Sequence, residues 1–378
     1  MRLIFTALGA YGHSFPLIPL AVAARDAGHD VAFATAAEFL PNIEKAGITG
    51  IPVGLTPQQA FTELLKGVDG DPRALPQKKL FKLLGRVFGD AVPRAVVADL
   101  EPVFAERRPD LVVYEAANAG GAYAAKRAGI PCISHNFGRM ADYDAGKEIR
   151  EEMRATAAEF GLEGELEAPF GDPIVDICPE SVQSQEFVAT ANRIPLRPVG
   201  WSVPGDLPAG IADRDRSRPL AYVTLGTQYG NSDVLVKATI GLAALDLDVL
   251  VATGPFVEAE LLGEVPSNVR LETWVPQREL LPHVDIVVHH GGSGTMLGAF
   301  GAGLPQLFLP QGADHSTNAE ASVKAGVATQ LVEDFTADDI TEQARFLLAD
   351  TAVRDAARAL ATEVAAMPSP AEVVTSLK

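Results

Sequence analysis

The run His289-His290-Gly291-Gly292-Ser293-Gly294-Thr295 gathers the densest set of groups able to do chemistry in this chain. It follows the apolar segment Val284-Asp285-Ile286-Val287-Val288, which reads as a buried parallel strand. It precedes Met296-Leu297-Gly298-Ala299-Phe300, which reads as the first turns of a helix. A strand, a glycine-rich turn and a helix start bring backbone N–H groups and the positive helix end to one point. The glycines let the backbone approach an anion without Cβ clashes, and the histidines add ring N–H donors. The chemistry is phosphate binding, so a phosphorylated or nucleotide-bearing ligand is expected.

Three more polar turns stand where strands should end: Gly9 to His13, Gly226-Thr227-Gln228, and Gln311 to Asn318. In open α/β sheets ligands bind outside the C-terminal strand ends, so the recurrence carries more than any single turn. Neither Gly9-Ala10-Tyr11-Gly12 nor Gly291 to Thr295 has the dinucleotide-binding glycine spacing, and neither continues as the Gly-Lys-Ser/Thr of a P-loop. His13 occupies the first such turn, and an ordinary imidazole titrates close enough to neutrality to act as a general base. Glu115 and Asn118 end a strand that begins at Asp110. If that strand lies beside the first, a carboxylate there can orient the imidazole and stabilise its protonated form. Trp274-Val275-Pro276-Gln277 sets an aromatic plate above a proline-fixed turn, suited either to stacking on a nucleobase or to packing in a core. The Asp-x-Asp triplets, such as Asp142-Tyr143-Asp144 and Asp213-Arg214-Asp215, lie in acidic or linker-like surroundings and are read as incidental, so no metal site is expected.

The elements that must position these residues alternate. Leu3 to Leu8 reads as a strand, Tyr11 to Pro16 as a turn, and Leu17, Leu20, Ala21 and Ala24 as one face of a helix, with Val31 to Thr35 the next strand. Helical patterning runs from Leu75 to Glu106, with Leu80, Phe81, Leu84 and Phe88 at helical spacing as core positions. Strands follow at Asp110–Tyr114 and Pro131–Ser134, then a solvated acidic helix over Lys147–Phe160. From Pro198 to Pro219 prolines, glycines and charges crowd together as a linker. The βα rhythm then restarts with strands at Leu220–Leu225, Asp248–Ala252, Val269–Leu271, Asp285–Val288 and Gln306–Leu309. Thr317 with Glu320 and Thr336 with Asp339 read as capping boxes. The expected fold is α/β, with two doubly wound parallel-sheet domains facing each other across a cleft. The domains are set at 1–202 and 219–360, with a linker at 203–218 and a helical tail at 361–378 that packs back on the first domain.

Composition narrows the partners. With 47% hydrophobic residues the chain supports two cores. A net charge of −18 argues against nucleic acid or an anionic membrane as partner. Cys132 and Cys178 read as small buried hydrophobes. No signal-peptide pattern or membrane-length apolar stretch occurs, so a cytoplasmic protein is expected.

Together these residues resemble a family 1 glycosyltransferase of the GT-B fold, closest to the bacterial enzymes that decorate natural products. The resemblance spans nearly the whole chain and rests on four stretches. They are Gly12-His13 with Pro16, Trp274 to Gln277, His289 to Thr295, and Pro310-Gln311-Gly312-Ala313-Asp314-His315 with Asn318-Ala319. It implies that Trp274 stacks on the donor base, with Val275 and Gln277 beside it and Gln277 near the ribose. His290 and the N–H groups of Gly292, Ser293, Gly294 and Thr295, helped by Thr227, would hold a diphosphate. Asp314 and His315 would contact sugar hydroxyls, although the family usually has glutamine where His315 stands. His13 would be the base, and Glu115 replaces the more common aspartate as its orienting partner. The implied reaction is an inverting, metal-independent transfer of a (deoxy)sugar from a nucleoside-diphosphate sugar, thymidine-linked as the resemblance implies, to a small apolar or aromatic aglycone. The nucleotide sugar is a co-substrate, no cofactor is implied, and a homodimer is compatible with the family. The acceptor would lie against Pro57–Phe88 and Arg139–Phe170. A nucleotide-sugar epimerase and a non-catalytic nucleotide-sugar-binding auxiliary protein are the competing readings.

Overall fold

Leu3, Ile4 and Phe5 are successive residues that lose nearly all contact with solvent. Burial without alternation is the mark of a parallel strand covered on both faces. The computed structural model describes the whole chain except residues 67–74, 141–145, 165–171, 204, 228–230, 255–263 and 378. The triplet Asp142-Tyr143-Asp144, Pro204, Gln228 and parts of the two expected acceptor stretches therefore lie outside the described residues.

The chain forms two units. The first carries β1 (Arg2–Thr6), β2 (Asp30–Thr35), β3 (Thr49–Pro52), β4 (Leu111–Glu115), β5 (Cys132–His135), β6 (Ile174–Asp176) and β7 (Arg193–Pro195). These pair in parallel in the order β3-β2-β1-β4-β5-β6-β7. The second carries β8 (Leu220–Thr224), β9 (Asp248–Ala252), β10 (Val269–Glu272), β11 (Ile286–His289), β12 (Gln306–Phe308) and β13 (Ala328–Gln330). Its order is β10-β9-β8-β11-β12-β13, again all parallel. In each sheet the chain steps outward from the first strand, then returns to its other side. The crevice that binds ligands in such sheets thus falls between β1 and β4, and between β8 and β11.

The helix Ile18–Asp26 covers the first sheet, with Leu20, Ala21 and Ala24 on its buried face beside Leu17. The preceding segment, read as a turn, is helical: Tyr11–Ser14 and a 3-10 turn at Phe15–Leu17 run straight into it. Two more expectations are corrected. Across Leu75–Glu106 the helices Gln77–Gly85 and Val92–Arg107 are joined by a π-helical turn at Arg86–Ala91. The core positions are Leu83 and Val87, whereas Leu80, Phe81, Leu84 and Phe88 are half-buried. Leu80, Phe81 and Leu84 stand on the flank of the helix before the wider turn, while Phe88, within it, packs against the core. The capping box at Thr317 does not form either. The helix His315–Lys324 already starts two residues earlier, and the Thr317 hydroxyl donates to the Asp314 carbonyl at 2.9 Å. The box at Thr336 and Asp339 does form, at the start of Ala337–Ala349.

The unit boundary falls between Leu196 and Arg197, just ahead of the proline-rich stretch, and Cys178–Ser184 counts with the second unit. Pro368–Lys378 returns to the first unit, where the helix Pro370–Ser376 packs on Ile18–Asp26. No helix among the described residues is long and apolar enough to cross a membrane.

Candidate functional site

In the first unit the crevice between β1 and β4 holds a histidine and a carboxylate. His13 sits in the helical turn after β1, and Glu115 closes β4, its side chain wholly buried. Glu115 Oε2 lies 3.2 Å from His13 Nδ1, an ion-pair contact rather than an aligned hydrogen bond. Glu115 Oε1 accepts the Ala117 N–H at 2.6 Å, which holds the carboxylate in place. With Nδ1 turned to the carboxylate, Nε2 is the nitrogen left to take a proton. The His13 ring also packs on Phe137, centroids 4.8 Å apart, and its side chain keeps a quarter of its surface exposed. Asn118 is not part of this contact: its Nδ2 donates to Thr6 Oγ1 at 3.0 Å and braces β4 against β1. Tyr11, Phe15 and Phe39 form an aromatic cluster around the same turn, with centroids 5.0–5.7 Å apart. The surroundings of the base are thus aromatic and apolar.

In the second unit the crevice between β8 and β11 is lined by the anion-binding turn. Gly292 has extended backbone, and the helix Ser293–Ala302 begins after it. Its first helical bond runs from Met296 N–H to the Gly292 carbonyl at 3.1 Å, so the N–H groups of Ser293, Gly294 and Thr295 have no acceptor within the helix. His290 is clamped over this turn. A Cβ on Gly226 would stand 2.5 Å from its ring, and one on Gly292 only 2.4 Å from Nε2. Only glycine leaves room for the imidazole on both sides. Thr227 follows Gly226, which has φ +78°, in the turn after β8.

The histidines divide by environment. His289 is inaccessible: its Nδ1 accepts the Gly291 N–H at 3.2 Å, so Nε2 carries the proton and donates to Gln306 Oε1 at 2.8 Å. It closes the strand. Burial, reinforced by the neighbouring His290, lowers its pKa to about 3. Burial and then His315 lower that of His290 to about 3 as well. His315 is only 4% exposed and stands edge-to-face with His290, centroids 4.6 Å apart. Its Nδ1 accepts the Gln311 N–H at 3.3 Å, and burial lowers its pKa to about 4. His290 is therefore a neutral donor before any ligand arrives.

Trp274 keeps 42% of its surface exposed in the turn after β10, while Val275 beside it is buried. That excludes core packing for the indole. Gln277 opens the next helical turn, and its Oε1 accepts the Thr295 hydroxyl at 3.3 Å, tying this strip to the anion-binding helix. Asp314 Oδ2 accepts the Ser293 hydroxyl at 3.1 Å. Thr227, Trp274, Gln277, His290, Ser293 to Thr295, Asp314 and His315 thus all lie on the turns and helix starts that follow strands of one sheet. Sequence reasoning quoted Asn318 without giving it a role; it is wholly buried here, with its Nδ2 within hydrogen-bond distance of three of the site's groups.

The comparisons with known proteins follow this division. The N-terminal domain of erythromycin biosynthesis protein CIII-like proteins matches residues 22–226, and their C-terminal domain matches residues 238–378. The chain belongs to this family. The CIII-like chain is 35% identical over 389 residues to the L-demethylnoviosyl transferase of Streptomyces niveus, covering 100% of this chain and 97% of that one. Among solved structures, the glycosyltransferase SnogD from Streptomyces nogalater matches with a TM-score of 0.78 and 28% identity, over 100% of this chain and 98% of that one. SsfS6 of Streptomyces sp. SF2575, complexed with thymidine diphosphate, matches with a TM-score of 0.79 and 25% identity, over 100% and 99%. This CIII-like protein is a bacterial natural-product family 1 glycosyltransferase, and its two parallel-sheet units have the GT-B fold.

Proposed function

We propose that the enzyme moves a (deoxy)sugar from a thymidine-diphosphate sugar to a hydroxyl of a small apolar aglycone, inverting the anomeric centre in one displacement. The observation that carries this reading is the His13–Glu115 contact, with Nδ1 on the carboxylate and Nε2 left as base. The donor diphosphate would rest on the N–H groups of Ser293 to Thr295 and on His290. Thr227 would assist, Trp274 would stack on the base, and Asp314 would take a sugar hydroxyl. The thymidine diphosphate in the SsfS6 structure supports the choice of nucleotide. The aromatic residues around His13 and the half-buried Leu80, Phe81 and Leu84 support an apolar acceptor.

In the reaction, His13 Nε2 takes the acceptor O–H proton and the freed oxygen bonds to the anomeric carbon. The bond from that carbon to the phosphate oxygen breaks, and the electron pair leaves with the nucleoside diphosphate. Glu115 stabilises the imidazolium formed. The oriented N–H groups and helix end meet the growing phosphate charge without having to reorganise. These donors supply the stabilisation that a metal ion would otherwise give.

General-base assistance is worth roughly 10²–10⁴-fold. His13→Ala should therefore lose about that factor in turnover while binding thymidine diphosphate as the wild type does, measured by product chromatography and calorimetry. Unchanged turnover sinks the assignment. Conversion of the nucleotide sugar with no aglycone present would favour an epimerase instead, and donor binding without any product would favour an auxiliary binding protein.

A further inference from the structure

We infer that Asn318 is a positioning residue that makes the diphosphate turn and the sugar-facing carboxylate one unit. The inference rests on the donor site proposed above. Asn318 lies four residues into the helix His315–Lys324 and is 0% exposed. Its side chain reaches back across the crevice wall. Nδ2 stands 2.9 Å from the Gly291 carbonyl, 2.9 Å from Asp314 Oδ2 and 3.2 Å from Ser293 Oγ. A carbonyl and a carboxylate can only accept, so the amide must present its NH₂ group to them, which fixes its orientation. The Ser293 hydroxyl closes the loop by donating to the same Asp314 oxygen at 3.1 Å.

The network has a consequence for recognition. Both hydrogen bonds to Asp314 arrive at Oδ2, leaving Oδ1 as the oxygen without one among the described residues. A sugar hydroxyl bound at Oδ1 would meet a carboxylate already aimed by the residues that shape the phosphate turn. That turn is set in turn by the same helix. Gly291, at φ +103°, approaches the His315 backbone so closely that a Cβ would stand 2.9 Å from its carbonyl oxygen. Asn318 itself is held by its helix position, with the Ser322 hydroxyl on its carbonyl at 2.8 Å. Asp314 touches sugar in this account, and Asn318 acts through Asp314 and the turn.

Calorimetry with thymidine diphosphate and dTDP-glucose on the full chain tests this. In the wild type, the ratio of the two affinities measures what the sugar adds. Asp314→Ala should abolish that increment and weaken thymidine diphosphate by less than Asn318→Ala does. Asn318→Ala should weaken thymidine diphosphate about tenfold and abolish the increment too. The double variant should then be no worse than Asn318→Ala for the sugar term, the non-additivity expected of coupled neighbours. Asn318→Asp gives a second readout. It sets a carboxyl about 3 Å from Asp314, and the like charges raise the pH at which the second of the two ionises. A shared proton would restore the bridge, so the increment should return at pH 5 and vanish at pH 8, whereas the wild-type increment should not. An Asn318→Ala protein that keeps the sugar increment, or an Asn318→Asp increment independent of pH, overturns the inference while the donor site stands. Wild-type protein that binds neither nucleotide overturns the donor site and the inference with it.

Discussion

At the scale of single residues, His290 is the one whose setting is most restrictive. Gly226 has positive φ, so replacing it would combine backbone strain with a clash. Gly292 separates the two effects, because its φ of −63° suits any residue while its Cβ would overlap the imidazole. Gly292→Ala should leave the fold in place and push the ring off the turn. An overpacked contact of this kind costs about 1–3 kcal/mol. The displaced donor should weaken thymidine diphosphate by tenfold or more in calorimetry. Affinity equal to wild type would mean that His290 does not hold the phosphate. The places of His13, Glu115 and His290 were legible in the sequence, because a turn after β1 and the C-terminal ends of β4 and β11 are where chain order alone implies the crevice. The role of Asn318 was not. A polar residue four positions into a helix looks solvent-facing until the turn at Gly291 is known to lie against it.

At the scale of elements, the strands long enough to carry an apolar run were legible. The strands β3, β6, β7 and β13 were not, although β5, β10, β11 and β12, which are as short, were. The joint at Arg86–Ala91 was hidden too. Its residues keep helical character while the hydrogen bonding widens, so their spacing does not set the joint apart from an ordinary helix. Gly89 shows what the joint is for. A Cβ there would stand 2.6 Å from Glu152 Cβ and 2.9 Å from both the Ile149 carbonyl and the Met153 N–H nitrogen. The joint therefore lets the helix Gly146–Glu159 approach backbone to backbone. Gly89→Ala should force the two apart and cost about 1–3 kcal/mol in urea denaturation, since backbone cannot rotate aside as a side chain can. A variant as stable as wild type would show that the close approach is dispensable.

At the scale of the whole molecule, pH should act through histidines rather than through the acidic surface. His135, at the end of β5, is wholly buried, and that burial lowers its pKa to about 4. It joins His289, His290 and His315 as groups held neutral in the folded chain. Unfolded, all four return to the ordinary imidazole value near 6.5. Below that pH the unfolded chain binds protons that the folded chain does not accept until about pH 4 or 3. Their contribution is thus complete above pH 6.5 and is lost as pH falls through the window down to 4. Each group should cost about 1.4 kcal/mol by pH 5.5, out of a typical total of about 5–15 kcal/mol. The net charge of −18 works in the opposite direction, since protonating carboxylates relieves repulsion. Ordinary carboxylates titrate near pH 4, at the bottom of this window, so the histidine effect should come first. Urea midpoints should therefore fall steadily from pH 7.5 to 5.5, and His135→Gln should flatten the slope by about a quarter. A midpoint that holds constant over that range would show that these imidazoles are not excluded from water as the structure has them.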